Sequence, residues 1–138
     1  MKIAVVTGTS TGIGLTTSLH LARNGYQVFA GMRNLAKADA LQTAAAAENL
    51  PVTVVQLDVC DTDSVKQAFA EIEKTGPVDV LINNAGIGGA APLELVPEAE
   101  HKQMFETNYF GVVRCIQAVL PSMRERQTGS IVNITSAV

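Results

Sequence analysis

Residues 7–14 read TGTSTGIG and follow, without a linker, the apolar run Ile3-Ala4-Val5-Val6. A short run rich in Val and Ile at residues 2–7 is a strand, and Leu15, Leu19, Leu21 and Ala22 beyond the glycines read as a helix ending near Asn24-Gly25. The chain therefore passes from strand to helix through a turn with glycines spaced G-x-x-x-G-x-G. Such a turn lets an anion approach the first turn of a helix, where backbone N–H groups lack partners and the helix dipole is positive. Gly8 is expected to allow the turn, Gly12 the close approach, and Gly14 the contact of helix with strand. Thr9, Ser10 and Thr11 add hydroxyls that can donate to phosphate or cap the helix. A glycine-rich turn without a ligand is the alternative; the strand before and the helix after favour a diphosphate loop. A Walker-type loop would end in Gly-Lys-Ser/Thr, and no lysine stands between Lys2 and Lys37.

The alternation continues along the chain. Residues 26–30 form a second strand, 35–48 an alanine-rich helix and 52–57 a third strand. Asp61 or Thr62 caps a helix that carries Val65, Ala68, Phe69 and Ile72 at helical spacing and stops at Gly76-Pro77. Residues 78–82 are a fourth strand, a Gly/Ala-rich loop runs to Pro92, and a long helical stretch covers 97–126 although it contains Pro121. A fifth strand, 130–135, is opened by Gly129. Nearly continuously apolar strands separated by helices indicate a parallel sheet covered on both faces. Right-handed crossovers then give an α/β, doubly wound parallel sheet of the Rossmann type with about five strands. With 138 residues, no repeat and no linker, one domain spanning 1–138 is expected.

Ten basic and thirteen acidic side chains, spread along the sequence, leave a net charge of −3 and no field for a nucleic-acid backbone. Cys60 and Cys115 match no metal or redox spacing, and His20 and His101 lack neighbouring ligands, so no metal site is expected. The thiols fit a reducing compartment. The apolar stretch in MKIAVVTG is too short for a signal peptide or a membrane span, which points to a soluble, cytoplasmic protein without a membrane partner.

If the loop holds a dinucleotide, the end of the second strand distinguishes the nicotinamide cofactors: a carboxylate accepts from ribose hydroxyls, a cation meets a 2′-phosphate. The sequence there is Gly31-Met32-Arg33-Asn34, with no carboxylate before Asp39. Arg33 favours NADP over NAD; its alternative is a solvent-exposed surface arginine. Asp58 follows the third strand and either accepts from an adenine amino group or caps the next segment. Asn83-Asn84-Ala85-Gly86 follows the fourth strand, and two adjacent amides at a sheet's carboxyl end bind backbone or ligand. Asn108 lies in a helix otherwise apolar at Phe105, Val112 and Ile116, where asparagine costs propensity and calls for a polar explanation.

In this order, Gly8/Gly12/Gly14, Asp58-Val59, Asn83 to Gly86, Asn108 and Ser136 resemble the signatures of the classical short-chain dehydrogenase/reductase family, over residues 2–138. The resemblance implies that residues 8–14, Ile13 included, are the diphosphate loop, and that Arg33 is the basic position of NADP-preferring members. It implies that Asn84, Ala85 and Gly86 line the nicotinamide ribose and that Asn83 is mainly structural. Asn108 would neighbour the water that connects a catalytic lysine to solvent, and Ser136 would position the substrate oxygen. The implied reaction moves a hydride between NADP(H) and a small-molecule alcohol or carbonyl substrate, and members associate through the helix corresponding to 97–126.

The family's proton donor is a tyrosine followed four residues later by a lysine, placed after the serine. Here Tyr26 and Tyr109 are followed at that distance by Ala30 and Val113, and both read as packing residues with a solvated hydroxyl. The chain is accordingly expected to be the amino-terminal portion of a reductase, truncated before the last strands and helices and inactive alone. Its fifth strand would be an unguarded edge, and Val112, Val113, Ile116, Val119 and Leu120 would expect partners on two sides. A non-catalytic dinucleotide-binding module and a non-functional fragment remain as alternatives. The apolar loop Gly88-Gly89-Ala90-Ala91-Pro92-Leu93 either edges a pocket for an apolar alcohol or ketone or is a flexible loop.

Overall fold

The computed structural model describes residues 1–136. Five strands, β1 (Lys2–Thr7), β2 (Tyr26–Met32), β3 (Val52–Gln56), β4 (Val78–Asn83) and β5 (Ser130–Asn133), pair in parallel in the order β3-β2-β1-β4-β5. Helices α1 (Gly12–Arg23), α2 (Asp39–Ala47), α3 (Thr62–Glu73), α4 (Glu98–Phe105) and α5 (Gly111–Arg126) complete the doubly wound arrangement. The strand order reverses between β1 and β4, so the carboxyl ends of these two strands frame the crevice where ligands of such sheets bind.

Both faces of β1 are buried, which is why its sequence reads as an unbroken apolar run rather than an alternation. Ile3 and Val5 join a core with Phe29, Leu81, Cys115, Val119 and the α3 residues Val65, Ala68, Phe69 and Ile72. Ala4 and Val6 pack on the opposite side with Ala22, Val28 and Ile82, while Ala30, Met32, Leu41 and Ala45 fill the space under α2. The α3 stripe is the one that the helical spacing predicts. Fully burying each of its larger side chains contributes about 1.5–3 kcal/mol. Asp61 is the cap of α3, its carboxylate accepting from the amides of Asp63 and Ser64 at 2.8 and 3.2 Å.

Four local features differ from the sequence-based expectation. The 35–48 helix is broken, because Asn34 Oδ1 accepts from the Ala36 amide at 3.0 Å and closes a 3₁₀ turn, Leu35–Lys37, before α2 begins. The third strand is only partly buried, since β3 is a sheet edge as well as β5. The 97–126 stretch is continuous from α4 to α5 but contains a π turn, Glu106–Phe110, around Asn108. The fifth strand ends at Asn133, leaving Val132 and Ile134 exposed on the edge.

The β1–β4 register also slips between Ile3 and Ala4. There the Asp79 side chain replaces a ladder acceptor, taking the Ile3 amide at 2.9 Å while Arg126 donates to its other oxygen at 3.2 Å. Arg126 donates in addition to the Val78 carbonyl at 2.7 Å, tying the end of α5 to the start of β4. Among the described residues no helix is long and apolar enough to cross a membrane.

Candidate functional site

The turn from β1 into α1 is held by two glycines and left open at a third. Gly8 and Gly12 have left-handed backbones, φ +67° and +58°. A side chain on Gly8 would lie 2.7 Å from Ala85 Cα, and one on Gly14 would lie 2.2 Å from the Gly8 carbonyl oxygen and 2.5 Å from the Asn84 side-chain nitrogen. Gly14 therefore packs on the turn and on Asn84, not on a strand as its place in the sequence suggests. A side chain on Gly12 would meet nothing outside its own helix within 4 Å. The Thr11 side chain makes no capping hydrogen bond and the first turn of α1 holds no acidic residue. The helix thus presents its first-turn N–H groups and positive dipole end to open space.

Thr9 corrects another expectation. Its hydroxyl is buried and donates to the Gly31 carbonyl at 3.0 Å, with its amide on the same oxygen at 3.1 Å. It ties the loop to β2 and does not line the cleft; of the three hydroxyls, Ser10 and Thr11 do.

The segment after β4 supports the loop from below. Thr7 Oγ1 accepts from the amides of Asn84 and Ala85 at 3.0 and 2.9 Å. Asn84 Nδ2 donates to the carbonyls of Thr7 and Gly8 at 3.1 and 2.9 Å, so both donors of this amide serve the loop. Asn83 points elsewhere: it is buried, and its Nδ2 donates to Asn133 Oδ1 at 2.9 Å between β4 and β5. It is structural and lies outside the cleft.

These elements enclose a cleft of about 390 Å³. Gly8, Gly12 and Ile13 form its floor, Met32 and Arg33 the end of β2, Leu57 to Cys60 one wall, and Asn84 to Ile87 with Thr107 the other. Arg33 is exposed at the rim, where a second, polar recess lined by Gln56, Asp61 and Asp63 adjoins it, and among the described residues it forms no ion pair. Asp58 faces the cleft and closes a turn by accepting from the Cys60 amide at 2.9 Å; helix capping is left to Asp61.

Asn108 and Ser136 do not line this cleft. Asn108 clasps the backbone of Ile87, Oδ1 accepting from its amide at 2.8 Å and Nδ2 donating to its carbonyl at 2.7 Å. Ser136 follows β5, exposed, three residues past the carboxyl end of that strand. Tyr109 is exposed and packs edge-on against Phe110, ring centroids 5.0 Å apart. Met32, Leu57, Cys60, Ile87 and Thr107 complete the cleft without having been singled out from the sequence; each adjoins a residue that was, and that adjacency was the available signal.

Both cysteines are free. Burial pushes the Cys115 thiol up from the ordinary 9.0 to about 12, against a smaller lowering by Arg114. It is a core group.

A family model described as short chain dehydrogenase matches residues 2–138. The chain belongs to the short-chain dehydrogenase family. It is 46% identical over 141 residues to retinol dehydrogenase 8 of Bos taurus, covering 99% of this chain and 45% of that protein. It is 40% identical to a 3-oxoacyl-[acyl-carrier-protein] reductase of Staphylococcus epidermidis, covering 99% of this chain and 57% of the reductase. Among solved structures, a metagenomic short-chain oxidoreductase in complex with NADP superposes with a TM-score of 0.92 at 28% identity, over 99% of this chain and 63% of that one. A variant of actinorhodin polyketide ketoreductase with NADPH superposes with a TM-score of 0.93 at 33% identity, over 98% and 53%. This short-chain dehydrogenase chain spans about half the length of the curated relatives it matches.

Proposed function

We propose that this chain supplies the cofactor-binding part of an NADP-dependent oxidoreductase acting on an alcohol or carbonyl group. The observation that carries the reading is the open space before Gly12, at an uncapped helix end with Arg33 on the same rim. The first-turn amides of α1 receive the diphosphate, Arg33 meets the 2′-phosphate by a charge-assisted contact, and the Asp58 carboxylate accepts from the adenine amino group. Ala85 and Gly86 present backbone to the nicotinamide ribose. The cofactor, when bound, would donate a hydride to a carbonyl carbon in its reduced form or accept one from an alcohol carbon in its oxidised form. Ser136, beyond the carboxyl end of β5, holds the substrate oxygen, and Asn108 acts by fixing Ile87 at the cleft wall.

Within these 138 residues no tyrosine is followed by a lysine four places on, so the chain holds no matched proton donor of its own. The stretch 97–126 serves self-association, a reading supported by Phe105, Tyr109, Phe110 and Leu120, all exposed along it. Two free thiols fit a cytoplasmic setting.

Calorimetric titration of the chain with NADPH and NADH tests the proposal. NADPH binds more tightly, and Arg33→Ala weakens NADPH by about 10- to 100-fold, the worth of a hydrogen bond to a charged group, while leaving NADH unchanged. Equal affinity of the unaltered chain for both would remove Arg33 from its role. Binding of neither would remove the cofactor reading.

A further inference from the structure

The turn between β3 and α3 meets the Asn108 helix along a seam to which the cofactor reading assigns no role. Gly111 sits so close to Val59 that a side chain there would lie 2.7 Å from Val59 Cγ2. Beside it Cys60 Sγ and Thr107 Oγ1 are 3.1 Å apart, and Gln103 donates to both, at 3.6 and 3.4 Å. Arg114 crosses this seam with its whole guanidinium. Nη1 donates to the Val59 carbonyl at 3.0 Å and to the Glu106 carbonyl at 3.4 Å, Nε to Thr62 Oγ1 at 3.2 Å, and Nη2 to the Glu106 carboxylate.

The Glu106 carbonyl opens the π turn and also accepts from the Gly111 amide. Wide turns of this kind are uncommon in helices and collect at functional sites. Here the turn brings Thr107 to the cleft and Asn108 to Ile87. Val59 and Cys60, on the other side of the seam, line the same cleft. One planar fork, with its five donors in fixed directions, thus binds both sides at once, a geometry that a lysine ammonium cannot reproduce.

We propose that Arg114 is a positioning residue for the dinucleotide cleft: it locks the β3–α3 turn to the π turn, so that the adenine wall and the Asn108–Ile87 clasp keep one spacing. The proposal rests on the dinucleotide reading for its functional meaning, and its structural core, the coupling of Val59 to Ile87, stands apart from it.

The test compares the unaltered chain with Arg114→Met and Arg114→Lys. Affinities for NADPH and for adenosine 2′,5′-bisphosphate are measured by calorimetry, and amide hydrogen exchange is followed by NMR. Arg114→Met weakens both ligands by about tenfold, within the range that a residue acting through others changes. It also speeds exchange at the Ile87 amide, with β1 and β2 amides unchanged. Arg114→Lys keeps the charge and stem but lacks the fork, so Ile87 exchange rises there as well; this variant carries the test if the methionine variant does not fold. Unchanged affinity and unchanged Ile87 exchange overturn the proposal, as does faster exchange spread evenly over the sheet. Failure of the unaltered chain to bind either ligand refutes the dinucleotide reading instead, and Ile87 exchange in the variants then decides the coupling alone.

Discussion

Asn84 donates to Thr7 twice, from its backbone amide to Oγ1 at 3.0 Å and from its side chain to the carbonyl oxygen at 3.1 Å, although 77 residues separate the two. The contact joins the carboxyl ends of β1 and β4 at the place where the strand order reverses. It makes the shape of the glycine loop depend on a segment far away in the sequence, because the second hydrogen of the same amide goes to Gly8.

Replacing Asn84 by alanine leaves the Thr7 and Gly8 carbonyls without these donors. Unfolding in urea is expected to show a loss of about 1–3 kcal/mol, the range for a polar group deprived of its partner. Asn84→Asp is expected to be worse above the carboxylate range of pH, since its charge would face two carbonyl oxygens. An aspartate variant as stable as the parent at pH 7 would contradict this arrangement.

The two glycines on either side of Ile13 fail differently when replaced. Gly12→Ala meets no atom within 4 Å and pays only for a left-handed backbone, about 1–2 kcal/mol. The chain should fold, with weakened NADPH binding because the new methyl stands before the helix end. Gly14→Ala would place a carbon 2.2 Å from the Gly8 oxygen, so it should lose the native loop itself, read as altered amide shifts from Gly8 to Asn84 without ligand. Similar behaviour of the two variants would count against the assignment.

The thiols divide by environment. Cys115 stays protonated in the folded state up to about pH 12, while in the unfolded chain it ionises near 9.0. Its raised pKa therefore contributes stability below pH 9 that is lost as pH rises toward 12, with a slope of up to about 1.4 kcal/mol per pH unit. Cys115→Ala should lack this slope in denaturant titrations between pH 9 and 11. Iodoacetamide at pH 8 should reach Cys60 on the cleft wall and spare Cys115, and NADPH should slow the modification of Cys60.

Asp79 replaces a ladder bond, so its removal acts on the sheet and not on the cleft. Asp79→Ala deprives the Ile3 amide and Arg126 Nη1 of their acceptor together, with an expected loss of about 1–3 kcal/mol. NADPH affinity measured well below the unfolding midpoint should stay unchanged.

Elements governed by local chemistry were legible in the sequence. The β1–loop–α1 unit follows from an apolar run meeting three glycines, and the α3 stripe follows from 3.6-residue spacing. Gly8 and residues 10–13 of the glycine loop, Arg33, Asp58 and the 84–86 segment line one cleft, as their order along the chain suggests. What the sequence hid is where polar side chains turn once the sheet is assembled. The Thr9 hydroxyl faces β2 instead of the cleft because Gly31 offers a buried carbonyl there. Asn34 breaks a helix that alanine content alone would continue. Asn108 and Arg114 find their partners 21 and 55 residues away, and no periodicity reports contacts at that distance.

The central claim is that the amides at the start of α1 receive the pyrophosphate. Its most direct measurement is an NMR titration of the ¹⁵N-labelled chain with NADPH, following the backbone amides of Ser10 to Gly14. These amides are expected to shift most and to saturate together with those of Ala85 and Gly86. Saturable shifts confined to other parts of the sheet, with residues 10–14 unmoved, would contradict it.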